Sequence, residues 1–199
     1  MVVERGLIGS ISDLDTIVVY DLEYTAWEGS HARRWSGPGE HRELVQIGAV
    51  RVHPRAGFAE SAALSLLVKP RINPRLSDYF TTLTGITQAA VDGDGVDFAT
   101  AVERFAGFLD GAALALANGI DHDVLVENGR LHGVPLPFPA QRFVNVAALL
   151  RAAAGGAALT SGTLHRHFPE VPALPAHDAL SDARMVAMAV KHVTGAAAA

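Results

Sequence analysis

Asp21 and Glu23 stand two residues apart at the end of the apolar run Thr16-Ile17-Val18-Val19-Tyr20. Near the other end of the chain, His177 and Asp182 stand five apart in His177-Asp178-Ala179-Leu180-Ser181-Asp182-Ala183. Alternate residues of a strand share a face, so Asp21 and Glu23 would present two carboxylates side by side. Two buried carboxylates repel unless a cation joins them. With no cysteine in the chain, several carboxylates at one point favour hard cations such as Mg²⁺ or Mn²⁺, which prefer oxygen ligands. The chemistry this suggests is that of phosphate groups.

Such a site needs a further ligand from mid-chain, and Asn118-Gly119-Ile120-Asp121, after a short apolar run and before a helical pattern, offers Asp121. Asp123 is the alternative, but two residues along a helix it faces another direction. The spacing of His177 and Asp182 carries its own demand. Five helical residues turn about 500°, which would point the two side chains roughly 140° apart. His177 therefore belongs in the loop ahead of the helix. Pro172 and Pro175 disfavour helix just upstream, and Asp178 or His177 itself falls in the capping region. His122, His132, His165, His167 and His192 have no comparable setting, and the pair His165 and His167 lacks a third ligand at useful spacing.

The elements that must position these groups follow from periodicity. Ile17 to Leu22 reads as a buried strand, and Leu44 to Val52 and Ala63 to Val68 as two more, divided by the turn-prone His53-Pro54-Arg55-Ala56-Gly57. Three strands in succession predict an antiparallel meander. Leu76 to Leu83 predicts a short helix ended by Gly85, and Phe98 to Leu109 a longer one through Val102, Phe105 and Leu109. Ala112 to Ala117 predicts a strand, Asp121 to Leu131 a helix, Phe143 to Val146 a strand and Ala147 to Ala153 a helix. A turn at Gly155-Gly156, a short helix from Thr160 to Phe168 and a last helix from Asp178 to His192 complete the order. The fold class predicted is α/β, a mixed sheet with helices on it.

The chain has 199 residues, 49% of them hydrophobic, enough for one domain with a sizeable core, here residues 1–195 with a frayed tail at 196–199. Zero cysteines exclude disulfides and thiolate zinc sites, and Met1 to Ser10 lack the pattern of a signal peptide. The cytoplasm is the expected compartment. No charge-free apolar run is long enough for a membrane span. The net charge of −5 argues against a protein that coats nucleic acid by charge alone, but not against a nuclease, whose metal ligands make its site acidic.

The ordered set, Asp21 with Glu23, then Asp121, then His177 with Asp182, resembles the DEDDh 3′-5′ exonucleases of the ribonuclease H-like fold. The resemblance also takes in Glu43-Leu44-Val45-Gln46-Ile47-Gly48-Ala49-Val50 and Leu83-Thr84-Gly85-Ile86-Thr87, and so spans Thr16 to Val190. Tyr24-Thr25-Ala26-Trp27 and Gly119-Ile120-Asp121 look more like the Eri-type and sporulation-inhibitor-like exoribonucleases than like proofreading subunits. One departure is Ala117-Asn118-Gly119, where many members carry His-Asn.

The resemblance implies a ribonuclease H-like mixed sheet, a meander of three strands followed by parallel strands. It implies that Asp21, Glu23, Asp121 and Asp182 hold two divalent metals, Mg²⁺ or Mn²⁺, about 4 Å apart, and that His177 is the general base. Nucleoside 5′-monophosphates would leave from a free 3′ end of single-stranded RNA or, second in preference, DNA. Tyr24, Thr25, Thr84, Gly85, Ile86 and Asn118 would lie near the terminal nucleotide; the plainer reading of Gly85 is a helix stop. The arm from Trp27 to Arg42 offers Trp27, His31, Arg33, Arg34 and Trp35 to stack a base and hold a phosphate. Its alternative is a surface loop packed by its tryptophans. Two rival functions remain: a silent nucleic-acid-binding module, and a hydrolase of dinucleotides or short oligonucleotides, for which a homodimer capping the groove would be the mark.

Overall fold

The computed structural model describes residues 10–198. The expected absence of a signal peptide concerns Met1 to Ser10 and, but for Ser10, lies outside them, as does Ala199 of the expected tail. The β-branched and aromatic run of β1, Ile17–Tyr24, makes it the central strand of a five-stranded sheet. On one side it pairs antiparallel with β2, Leu44–His53, which pairs antiparallel with β3, Ala59–Leu67. On the other it runs parallel to β4, Leu114–Ala117, which runs parallel to β5, Phe143–Asn145. The expected meander and the parallel strands after it are both present.

Helices cover both faces because both faces of β1 are apolar. Val18, Tyr20 and Leu22 face a layer built from α3, Phe98–Leu109, and α4, Asp121–His132, which follow α1, Asp78–Thr84, and α2, Gln88–Asp94. Ile17 and Val19 face α5, Ala147–Ala153, the 3₁₀ turn Ser161–Arg166 and α6, Ala179–Ala198. Asp21 and Glu23 continue this second face beyond the point where the pairing of β1 with β4 ends at Val19 and Leu116.

Most element ends fall within two residues of expectation, and three differences are larger. Strand β3 begins at Ala59, since it stays paired through a register shift near Arg51 and Val52. Helix α2 was not foreseen: its seven residues include two aspartates and a glycine, and its start depends on the Thr87 side chain accepting from the amide of Ala90 at 3.1 Å. Helix α6 continues through Ala198, as alanine favours.

Helix α6 lies across β1 and β2, and Gly48, the partner of Asp21 in the ladder, permits its approach. A Cβ there would fall 2.0 Å from the Ala179 carbonyl carbon and 2.1 Å from the Leu180 nitrogen. Backbone cannot yield as a side-chain tip can. Gly48→Ala is expected to lower unfolding stability by about 1–3 kcal/mol or more, read from the urea midpoint, because α6 must shift off the sheet.

Candidate active site

Four acids from three elements meet where β1 and β4 part. Asp21 and Glu23 come from β1, Asp121 from the first turn of α4 and Asp182 from the first turn of α6, and all four are buried. Asp121 reaches the strand directly, its Oδ1 accepting from the Leu22 amide at 3.2 Å. Asp123 is exposed, so the two mid-chain candidates part as the helical geometry requires. His177 sits in the turn ahead of α6 with φ of 60°, and its amide donates to Asp182 Oδ2 at 3.1 Å. One ligand atom from each of Glu23, His177 and Asp182 lies within 4.8 Å of the others.

Burial without compensation dominates the electrostatics. Glu23 is raised from 4.5 to about 8, first by desolvation and then by Asp182, Asp121 and Asp178. Asp182 rises to about 7 and Asp121 to about 6, again chiefly by desolvation. Asp21 is raised well above the ordinary range by burial and then by Asp121, Asp182 and Glu23. Glu43 shows that burial alone need not leave an acid unsatisfied. It is fully buried, yet it accepts amides of Arg71 and Ile72 at 2.8 Å each and that of Asn73 besides. Asp182 Oδ1 is buried with no hydrogen-bond partner. An orphaned carboxylate oxygen within a group of buried acids fits a cation, and the all-oxygen acids fit a hard one.

This gives a stability prediction with a definite sign. Carboxylates whose folded pKa is raised leave stability fully present below their ordinary values near 4 and remove it as pH rises through the folded values. In a chelator, the melting temperature should therefore fall between about pH 4 and pH 8, from the ordinary carboxylate values up to the folded values of about 6, 7 and 8. With Mn²⁺ present the fall should vanish, because the ionised forms then gain a partner. A flat profile in chelator, read by differential scanning fluorimetry, would contradict the packing of the four acids.

Two site residues went unnoticed in the sequence. Ser161, from the 3₁₀ turn, donates to Asp21 Oδ1 at 3.2 Å and receives a bond from Asn118 Nδ2 at 3.4 Å. Gln46, the ladder partner of Glu23, bonds to the start of α6. Neither residue type has a sequence pattern tied to this task, and both roles depend on contacts across more than forty positions.

The expected substrate residues divide. Thr25 is buried and tied into the scaffold, donating to the His41 carbonyl at 2.5 Å and accepting the Glu43 amide at 3.0 Å. Ile86 is buried with Ala26 and Phe80 in a small cluster against which Trp35 packs. Trp35 donates to the Thr25 carbonyl at 2.9 Å, and its ring lies 5.5 Å from that of Tyr24. Arg33 pairs with Glu40 and donates to the Glu28 carbonyl at 2.7 Å. Thr84 donates to the Phe80 carbonyl at 2.9 Å and Gly85, at φ 73°, ends α1. Trp27 is half-buried and Arg34 exposed, with φ of 55°. The packing thus joins Trp35 to the scaffold of the arm, while Arg34 stands on its surface.

Comparison with known proteins bears on this geometry. The family model described as Exonuclease, RNase_T, matches residues 18–190. Among curated relatives, the 3′-5′ exonuclease Snipper of Drosophila melanogaster is 35% identical over 89 residues, 45% of this chain and 30% of that protein. ERI1 exoribonuclease 2 of Xenopus laevis is 33% identical over 90 residues, again 45% of this chain but 12% of that protein. The match thus spans less than a third of either relative. The nuclease domain of 3′hExo, a DEDDh family member bound to rAMP, superposes with a TM-score of 0.73 at 21% identity, over 90% of this chain and 92% of that one. Exonuclease I of E. coli in complex with single-stranded DNA gives 0.70 at 17% identity, over 91% of this chain and 41% of that one. These two likenesses are of fold.

Proposed function

We infer the function from one premise: the chain belongs to the RNase_T exonuclease family, in its DEDDh branch. The reading is a hydrolase that removes nucleoside 5′-monophosphates from the 3′ end of single-stranded nucleic acid, RNA before DNA. The observation that carries it is the meeting of four buried acids with His177 at one end of β1.

Two divalent cations, Mg²⁺ or Mn²⁺, held by Asp21, Glu23, Asp121 and Asp182, would supply the positive charge that favours water ionisation and stabilises the leaving 3′ oxygen. The chain's own part is orientation and proton transfer. Ser161 fixes one oxygen of Asp21, the Leu22 amide one of Asp121 and the His177 amide one of Asp182, while Asp182 Oδ1 has no hydrogen-bond partner. His177 takes a proton from the attacking water. The bond from water oxygen to phosphorus forms, the bond from phosphorus to the 3′ oxygen breaks, and that oxygen takes a proton from solvent, so the shortened chain ends in a 3′-hydroxyl.

RNA is favoured by the names of the ERI1 exoribonuclease 2 relatives and by the rAMP bound to 3′hExo; the single-stranded DNA bound to exonuclease I is the reason DNA stays second. No helix among the described residues is long and apolar enough to cross a membrane. The absence of cysteine suits a cytoplasmic protein.

The test is a time course on 5′-labelled single-stranded RNA and DNA of one sequence, with Mg²⁺, Mn²⁺ or EDTA. A metal-dependent ladder that shortens from the 3′ end, faster on RNA, is expected. Intact polymers beside cleaved dinucleotides would transfer the assignment to short substrates.

A further inference from the structure

His177 occupies a backbone conformation that a β-carbon disfavours, φ of 60°, and such a residue persists only where its surroundings over-determine it. Its own amide bond to Asp182 joins two members of the same segment and cannot fix that segment to the sheet. Gln46 does. From the middle of β2, buried and opposite Glu23 in the ladder, its Nε2 donates to Asp178 Oδ2 at 3.1 Å and its Oε1 accepts the Ala179 amide at 3.0 Å. Asp178 in turn accepts the Ser181 amide on Oδ1 at 2.9 Å, capping α6. A single side-chain amide thus holds both the cap and the first helical residue, immediately after His177. Gly48, two residues along the same face of β2, lets the helix come close enough for this.

We propose that Gln46 and Asp178 form a positioning clamp, joining β2 to the start of α6 so that His177 stays over Glu23 and Asp182. The inference rests on the exonuclease reading and adds a specific demand to it. Neither clamp residue is one of the four acids. The clamp acts on the orientation of His177, so its loss should lower kcat and leave substrate affinity nearly untouched.

Gln46→Leu keeps the bulk and removes both bonds to the start of α6, along with the 3.3 Å bond to Ser65 Oγ; kcat is expected to drop about 10- to 100-fold, the scale of a misplaced catalytic group, with KM for a single-stranded oligonucleotide unchanged within about threefold. Gln46→Glu should behave alike, because its carboxylate faces that of Asp178. The double variant Gln46→Glu with Asp178→Asn reverses the amide and carboxylate at constant net charge and should recover most of the parent kcat. Unchanged kcat in Gln46→Leu, a change confined to KM, or no recovery in the reversed pair would overturn the clamp.

Native-state hydrogen exchange separates this result from the exonuclease assignment. If the parent chain cleaves nothing, that assignment fails, while the clamp still requires the His177 amide, which Gln46 does not touch, to lose protection in Gln46→Leu. Protection equal to the parent's overturns it. Where Gln46→Leu does not fold, the reversed pair and the Gln46→Glu single variant give the same comparison.

Discussion

Asp21→Asn and Asp182→Asn proteins are expected to fold, to resist heat better than the parent in chelator, and to release nucleotides at least about 10³-fold more slowly at saturating Mn²⁺. The rate follows from the several kcal/mol that metal coordination contributes to a developing charge, with about 1.36 kcal/mol for each factor of ten. Stability should move the other way because each substitution removes one of several buried like charges. Asp21 is raised by its burial and then by three carboxylate neighbours, and the Asp182 Oδ1 atom has no partner. An amide at either place keeps the shape and ends the repulsion. At 182 it also keeps an oxygen for the His177 amide.

Metal then distinguishes a site from a cluster of acids. In the parent, Mn²⁺ at about one hundred times its dissociation constant should stabilise the folded state by about 2.7 kcal/mol, roughly 5–10 °C in a domain of this length. The two variants should lose most of that response. If either keeps both the parent rate and the parent response to Mn²⁺, the four acids are not the metal site. A variant that loses activity through unfolding would be exposed by its melting curve.

The parts of this site legible in the sequence are those governed by local periodicity. The two-residue spacing of Asp21 and Glu23 put them on one face of a strand, and the five-residue spacing of His177 and Asp182 put the histidine outside the helix, in the turn where it stands. Most of the sheet was legible for the same reason, its strands being apolar runs bounded by turn residues, but the mostly exposed first half of β3, Ala59-Glu60-Ser61-Ala62, carries no such run. Ser161 and Gln46 were not legible. A serine in a short turn and a glutamine in a strand carry no signal until the fold sets them against Asp21 and Asp178. The arm was ambiguous in the sequence for another reason, since tryptophan suits base stacking and core packing equally. The indole of Trp35 points to the Thr25 carbonyl and the small cluster of Phe80 and Ile86, which composition could not reveal.

His177→Ala is expected to slow the chemical step by about 10²–10⁴-fold, the usual contribution of a general base. Two features make the loss separable from that of the acids. First, His177 lies in the turn and not in α6, so its removal takes no backbone bond from the helix. The amide that donates to Asp182 Oδ2 is retained by alanine. The parent's thermal response to Mn²⁺ should therefore survive largely intact in His177→Ala while it fails in Asp182→Asn. Second, a base that accepts the proton of water acts on the rate and not on the acids, so free imidazole supplied to the alanine variant should restore part of the lost rate. Because Glu23, His177 and Asp182 present ligand atoms within 4.8 Å, the imidazole is also close enough to act as a metal ligand instead. That alternative makes the opposite prediction for metal: His177→Ala would then lose the Mn²⁺ stabilisation together with the rate. Rate loss with the metal response retained assigns the proton transfer to His177, and joint loss of both assigns it to the coordination shell.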